Sequence, residues 1–480
     1  MKANLIFGPP GCGKTTEITR LVGRVVQSGV PESDICILSF TKAAAKEIAD
    51  RADLRRSNVS TIHSLAFRLA GISKEQVIGA PELRQFADIT GYEISGANPD
   101  DADRMEIGDY YLALHELGRA RMVSIGETYE RFGNDGSMRE FESFCRSYVE
   151  FKEAYGYVDF ADMLERALLV PAQGFTHLFV DEAQDLSALQ WKLIEHWAGG
   201  VDQVYVAGDD DQAIYVWGGA EATGMLKFAV DHSATVDTLS QSYRVPGAVH
   251  TVAEEIIANV KNRYPKKYLP TAGTGEVNKF DSPRTTPSPK HGDDCLILYR
   301  NHSLRNEIEE TLIDAGVPYV VDSGRPGALH GPLARAYRSL CVAVAGYKRG
   351  EGLTIKGREL TNLIRHCPGV ESYIKAGDMS FAIGRRASEI IHGEPEIINY
   401  LARVAVNFGA GVIPTVHMST IHGSKGREAE RVVLLNSMGE RSMESMERDP
   451  DSEIRTFYVG ATRSKHTLDI VYGKNSLPFM

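Results

Sequence analysis

The chain has no apolar run approaching the roughly 20 residues that a membrane-spanning helix needs, so no membrane association is expected. Its cysteines, Cys12, Cys36, Cys145, Cys295, Cys341 and Cys367, lie far apart and form no C-x-x-C pair. That spacing argues against a structural metal, an iron–sulfur cluster or a disulfide framework, and for a reducing compartment. No export signal precedes the first motif, and a cytoplasmic location is expected: nucleoid-associated in a bacterium, host cytoplasm for a virus. Repeats, low-complexity tails and nuclease-like carboxylate clusters are missing as well. Net positive charge is also lacking, since 53 Lys and Arg face 64 Asp and Glu for a formal charge of −11. The balance does not advertise nucleic-acid binding, but a local basic channel can exist on an acidic protein, so little is excluded. With 480 residues, 43% of them hydrophobic, the chain can bury more than one core.

Residues 8–15 read Gly8-Pro9-Pro10-Gly11-Cys12-Gly13-Lys14-Thr15, a complete G-x-x-x-x-G-K-[ST] phosphate-binding loop. It follows the apolar run Leu5-Ile6-Phe7, which suits a buried strand, and leads into a helical pattern from Thr16 through Val22. Glycines let backbone N–H groups close on phosphates, and the helix N-terminus adds positive potential there. Lys14 is expected on the outer phosphates and the Thr15 hydroxyl on Mg²⁺. Gly8 to Thr16, with Arg20, form the expected nucleotide-binding set.

Two further segments end apolar strands in polar chemistry. Leu178-Phe179-Val180 runs into Asp181-Glu182-Ala183-Gln184-Asp185; Asp181 suits a Mg²⁺ ligand opposite Thr15, and Glu182 a group that polarises the attacking water. Read alone, these acids equally suit a capped helix start. Val204-Tyr205-Val206-Ala207-Gly208 precedes Asp209-Asp210-Asp211-Gln212, where Gln212 could sense the γ-phosphate. Tyr215 and Trp217 follow at once, and an exposed Trp there could stack a base; a core Trp reads the same. The stretch Val260-Lys261-Asn262-Arg263-Tyr264-Pro265-Lys266-Lys267-Tyr268 interleaves basic and aromatic residues as a strand-binding surface would, and as a solvated basic loop would too.

Short apolar runs alternate with helical patterns along the chain, which predicts an α/β fold with parallel sheets. Strands are expected at 4–7, 35–40, 177–181, 203–207 and 235–239, then at 295–299, 318–322, 415–420, 431–436 and 467–472. Polar, helical stretches interrupt each series. The expected division is a first α/β domain at 1–71 and 157–242 around a helical insertion at 72–156. A second is expected at 243–324 and 413–480 around a short helical insertion at 325–412.

In order along the chain, these segments resemble a UvrD/Rep-type superfamily 1A DNA helicase, as a compact member with a short second insertion. Besides the loop and the D-E-x-Q-D and G-D-x-D-Q motifs, the resemblance rests on six more segments. They are Ser39-Phe40-Thr41-Lys42, Ser60-Thr61-Ile62-His63, Val158-Asp159-Phe160 with Leu164, Leu239-Ser240-Gln241-Ser242-Tyr243-Arg244, and the pair Thr420-Ile421-His422-Gly423-Ser424-Lys425-Gly426-Arg427-Glu428 and Tyr458-Val459-Gly460-Ala461-Thr462-Arg463. The resemblance implies two RecA-like motor domains and ATP with Mg²⁺ in a cleft between them. It further implies stepping along single-stranded DNA, 3′→5′, and unwinding at single/double-strand junctions, with an accessory protein conceivable. Tyr243 would stack on the adenine, Arg244 would touch the γ-phosphate, Glu428 the ribose, and Arg463 would be the arginine finger. Lys14, Asp181, Glu182, Gln212, Arg244 and Arg463 make up the implied catalytic set. Phe40, Thr41, Lys42, Thr61, His63, Tyr215, Trp217, Thr420 and His422 would line the strand.

The chain departs from the family pattern at Gly218, where an Arg is expected, at Lys42, where an Asn is expected, and upstream of Gly8, where the adenine-reading Gln is missing. Two other readings fit the same motifs: a translocase that remodels protein–DNA complexes without unwinding, and a P-loop switch that gates a partner.

Overall fold

A computed structural model describes residues 1–39, 45, 48, 59–96, 105–171, 174–322, 327–351 and 353–480, with the backbone alone at Arg441. Phe40, Thr41 and Lys42 lie outside the described residues. Contacts divide the chain into two units, Met1–Gly273 with Ser445–Thr462, and Thr274–Glu444 with Arg463–Met480. Residues 243–273, expected in the second domain, therefore lie with the first, as does 445–462, because their partners are far away in sequence.

The first unit is built on six parallel strands: β1 Lys2–Phe7, β2 Ile35–Ser39, β3 Val59–Thr61, β4 His177–Val180, β5 Gln203–Gly208 and β6 Thr235–Thr238. They are ordered β3-β2-β4-β5-β1-β6. The central strands are apolar on both faces, as a sheet covered by helices on each side requires, and β4 is buried throughout. Order decides where the motifs meet. β4, β5, β1 and β6 are consecutive neighbours, so the loops leaving their carboxyl ends converge: Asp181 after β4, Asp209 after β5, Gly8 after β1, and Leu239 to Ser242 after β6. Ligands of open parallel sheets sit at this edge. The helices at 80–155 gather around an aromatic core of their own, Phe86, Tyr111, Phe141, Phe144, Tyr148 and Phe151.

The second unit has β7 Glu276–Phe280, β8 Cys295–Tyr299, β9 Tyr319–Val321, β10 Val416–Thr420, β11 Ala429–Asn436 and β12 Ser464–Tyr472, ordered β7-β12-β11-β8-β10-β9 and all parallel. Its inserted helices, among them Pro332–Lys348 and Pro395–Phe408, share one hydrophobic core with the sheet; Leu340, Leu363 and Leu401 pack in the same cluster as Ile297 and Met418. The fold class is the α/β architecture expected. Two strands went unforeseen, β3 and β7. β3 is three residues long, and β7 is a polar edge strand of which no residue is fully buried.

Candidate functional site

β1 delivers the phosphate loop, and two glycines show why the loop needs them. Gly11 has φ +72°, and a Cβ there would lie 2.4 Å from Arg244 Cβ. At Gly8 a Cβ would strike the stem of Lys14, which folds back so that Nζ donates to the Gly8 carbonyl at 2.9 Å. Gly13 precedes the helix Lys14–Gln27 and, as a glycine, offers its first turn no side-chain cap. Pro9, Pro10 and Cys12 are buried, Thr16 is exposed, and burial pushes the Cys12 thiol up to about 12. Arg20 lies nearly two turns into the helix, exposed, with its guanidinium on the Glu17 carboxylate.

Asp181 leaves β4 beside the loop. Thr15 Oγ1 donates to Asp181 Oδ2 at 3.2 Å, so a hydroxyl and a carboxylate share one spot, a donor set that suits a hard dication such as Mg²⁺. Burial, with Glu182 adjoining, raises Asp181 to about 7, while Lys14 and the Thr15 hydrogen bond oppose the rise. Glu182 adopts φ 54°, a left-handed conformation uncommon for a non-glycine residue, and its Oε1 lies 4.0 Å from Lys14 Nζ.

From Glu182 a chain of hydrogen bonds runs across the sheet edge. Gln184 Nε2 donates to Glu182 Oε2 at 2.5 Å, Asp209 N to Gln184 Oε1 at 2.9 Å, and Gln212 Nε2 to Asp209 Oδ2 at 2.6 Å. Gln184 and Asp209 are both fully buried. Sequence reasoning gave Gln184 no role; the Gln inside D-E-x-Q-D was the available signal. The Leu239–Arg244 segment fastens to the loop from the other side. Ser242 Oγ donates to the Pro10 carbonyl at 2.7 Å, and Tyr243 N to the Gly11 carbonyl at 2.9 Å. This leaves Tyr243 78% exposed, with Arg244 half-buried next to it.

In the basic-aromatic stretch 260–268 two of the four cations turn inward: Arg263 is bidentate on Asp211 at 2.8 and 2.6 Å, and Lys266 is buried among Asp209, Asp210 and Asp211, while Lys261 and Lys267 are exposed. Tyr264 stacks on Phe7 with ring centroids 4.3 Å apart, and Tyr268 is buried. Buried carboxylates demand cations, and this segment supplies them.

Of the expected strand contacts in the first unit, Thr61 caps the helix Ile62–Leu69 by accepting from Ser64 N at 3.2 Å. His63 meets the exposed Phe160 edge-on at 5.4 Å, and burial lowers it to about 4, which keeps the imidazole neutral at pH 7. Trp217 is 41% exposed, with Tyr215 edge-on at 6.1 Å. Arg121 of the helical insertion donates to the Val216 carbonyl at 2.9 Å and so braces the Trp217 segment.

In the second unit Thr420 ends β10 and is buried, its Oγ1 accepting from Gly423 N at 3.0 Å, with His422 buried beyond it. Glu428 and Arg463 immediately precede the amino ends of β11 and β12, where Ala429 N donates to the Arg463 carbonyl at 3.1 Å. Glu428 is exposed and pairs with Lys465 at 3.0 Å; Arg463 is 2% exposed. The structure thus gathers Gly8 to Thr15, Asp181, Glu182, Gln212, Tyr243 and Arg244 at one sheet edge. In the second unit it sets Glu428 beside Arg463.

Comparison with known proteins agrees in the order of the two domains. Residues 1–233 match the UvrD/REP helicase N-terminal domain, and residues 399–475 the UvrD-like helicase C-terminal domain. The chain is 32% identical over 374 residues to DNA helicase II of Escherichia coli, covering 67% of this chain and 49% of that protein. It is 28% identical over 372 residues to DNA helicase II of Haemophilus influenzae, with the same coverage, 67% and 49%. To the ATP-dependent DNA helicase PcrA of Bacillus subtilis it is 26% identical over 369 residues, covering 67% and 48%. The chain spans about half the length of these curated relatives. With a phosphate loop, its paired acids and two matched family domains on two parallel sheets, the chain belongs to the UvrD/REP helicase family.

Proposed function

We propose that this chain is an ATP-dependent motor that steps along single-stranded DNA, 3′→5′, and separates strands at single/double-strand junctions. The observation that carries the reading is the contact of Thr15 with Asp181, continued by the hydrogen-bonded line Glu182–Gln184–Asp209–Gln212 toward Trp217. Lys14 and the loop amides hold the phosphates, Glu182 orients and polarises the attacking water, and Gln212 reports the γ-phosphate. Mg²⁺, held by Thr15 and Asp181, would neutralise phosphate charge. Tyr243 stacks on the base, Glu428 binds the ribose, and Arg244 and Arg463 stabilise charge on the transferring phosphoryl group. Family membership and the names of the relatives support the same reading.

On the strand side, His63, Trp217, Thr420 and His422 take the bases and backbone, with stacking supplying purchase that tolerates any sequence. The test is translocation on oligonucleotides carrying streptavidin at one end. The motor is expected to clear the 5′ end in an ATP-dependent manner and to leave the 3′ end occupied. Clearance of the 3′ end alone reverses the assigned direction, and no clearance at either end rejects the motor. Strand displacement on a 3′-tailed duplex, run beside it, separates unwinding from stepping alone.

A further inference from the structure

Asp209, Asp210 and Asp211 are consecutive, buried, and offer carboxylate oxygens within 4.8 Å of one another, a grouping that resembles a cation site. A side chain already fills that place. Lys266 Nζ lies 3.0 Å from Asp209, 2.6 Å from Asp210 and 2.7 Å from Asp211, and its side chain is 1% exposed. The Phe7 ring closes the fourth side, 5.5 Å from Nζ. Burial alone would push this ammonium toward neutrality, but the three carboxylates outweigh it and hold the charge.

The three acids have separate duties. Asp211 is matched by the bidentate Arg263. Asp210 takes the Tyr264 N–H at 2.7 Å. Asp209 joins the cluster to Gln212: Oδ1 faces Lys266, while Oδ2 accepts from the Gln212 amide at 2.6 Å and the backbone N–H bonds to Gln184. Lys266 is therefore one residue removed from Gln212.

The lysine is also held firmly. Lys261 N and Asn262 N donate to Asp451 at 3.0 and 2.9 Å, Tyr264 stacks on Phe7, and Leu269 N donates to the Ser240 carbonyl at 2.7 Å. The segment that carries Lys266 thus runs from the helix Pro450–Ala461 to the residues just before Tyr243, all within the first unit.

We propose that Lys266 is a positioning residue for ATP hydrolysis: its ammonium fixes the Asp209 carboxylate, and Asp209 in turn fixes the Gln212 amide that faces the γ-phosphate. The inference rests on the proposed role of Gln212. A lysine that only balanced buried charge would not need to share Asp209 with Gln212, and this distinction is what the test reads.

Four proteins are compared without DNA: wild type, Lys266→Arg, Lys266→Met, and the double variant Lys266→Met with Asp210→Asn. The double variant keeps the cluster's net charge and guards against a fold lost through unpaired acids. For each, a fluorescent ATP analogue gives binding stoichiometry and affinity, and single-turnover hydrolysis gives the rate per bound nucleotide. Both Met variants are expected to bind nucleotide within about threefold of wild type and to hydrolyse it roughly 10- to 100-fold more slowly, as misplaced groups do. Lys266→Arg, which keeps the charge, is expected to recover most of the rate. A wild-type rate per bound nucleotide in the charge-balanced double variant would overturn the proposal and leave Lys266 as a charge partner only. Failure of the wild type to bind the ATP analogue would instead overturn the nucleotide reading itself.

Discussion

Asp181 is costly to keep ionised in the folded chain. Its carboxyl rises from 3.8 to about 7 through burial beside Glu182, so the folded state retains a proton that the unfolded chain releases between those values. Stability therefore falls as pH rises across that window, and the loss is complete above it. A displacement of this size corresponds to something on the order of 4 kcal/mol, offset in a variant by about 1 kcal/mol for a weakened hydrogen bond. Asp181→Asn is thus expected to raise the melting temperature of the nucleotide-free, metal-free protein by roughly 3–5 °C at pH 8 and to give no gain near pH 4. The same variant is expected to lose ATP turnover. Thermal scans at the two pH values check this, and equal or lower melting at pH 8 would contradict the burial account. The motif residues were legible in sequence because strand ends deliver them. Lys266 and Arg263 were misread because a basic-aromatic pattern looks alike facing water or buried acids, and only the partners of Asp210 and Asp211 decide.

Elements carry the next set of constraints. The inserted helices Ile107–Arg121 and Met138–Tyr155 join the helix Phe160–Ala167 through a buried ionic cluster. Lys152 sits 2.5 Å from Asp159 and 2.6 Å from Asp162, and Arg119 spans Asp159, Asp162 and Glu165. Although burial acts against it, these cations hold Asp162 down at about 2. Removing one partner strands a buried charge, so Lys152→Met is expected to cost about 3–5 kcal/mol, read by urea unfolding of the whole chain. A loss under about 1 kcal/mol would mean that the cluster is surface-like. The Trp217 segment is braced from the same insertion by Arg121. Trp217→Ala is expected to weaken single-strand binding by about 1–3 kcal/mol, or roughly 5- to 150-fold, with ATP affinity unchanged, measured by fluorescence anisotropy. Unchanged DNA affinity would make Trp217 a packing residue. Neither β3 nor β7 showed in the sequence, since a three-residue strand and a polar edge strand leave no apolar run to detect.

At the scale of the whole molecule, alternating apolar runs and helical patterns sufficed for two parallel sheets, because a strand buried on both faces needs a continuous apolar run. The boundary between the units was less legible. Val245, Val249, Ala253 and Ile256 would suit either core by pattern; their assignment to the first unit follows from pairings such as Ser242 with Pro10 and Asp451 with Asn262, separated by 232 and 189 positions. The two insertions differ for a related reason. The first builds its own aromatic core, and the second merges into the sheet's core, a distinction that composition does not carry.

The central claim is that nucleotide hydrolysis in this chain is coupled to a nucleic-acid strand. The most direct test is steady-state ATP hydrolysis with and without single-stranded DNA, with Lys14→Ala as the blank. A large stimulation by the strand, absent in Lys14→Ala, is the result predicted. Hydrolysis that is indifferent to DNA and to RNA would contradict the motor and leave a phosphate-loop switch in its place.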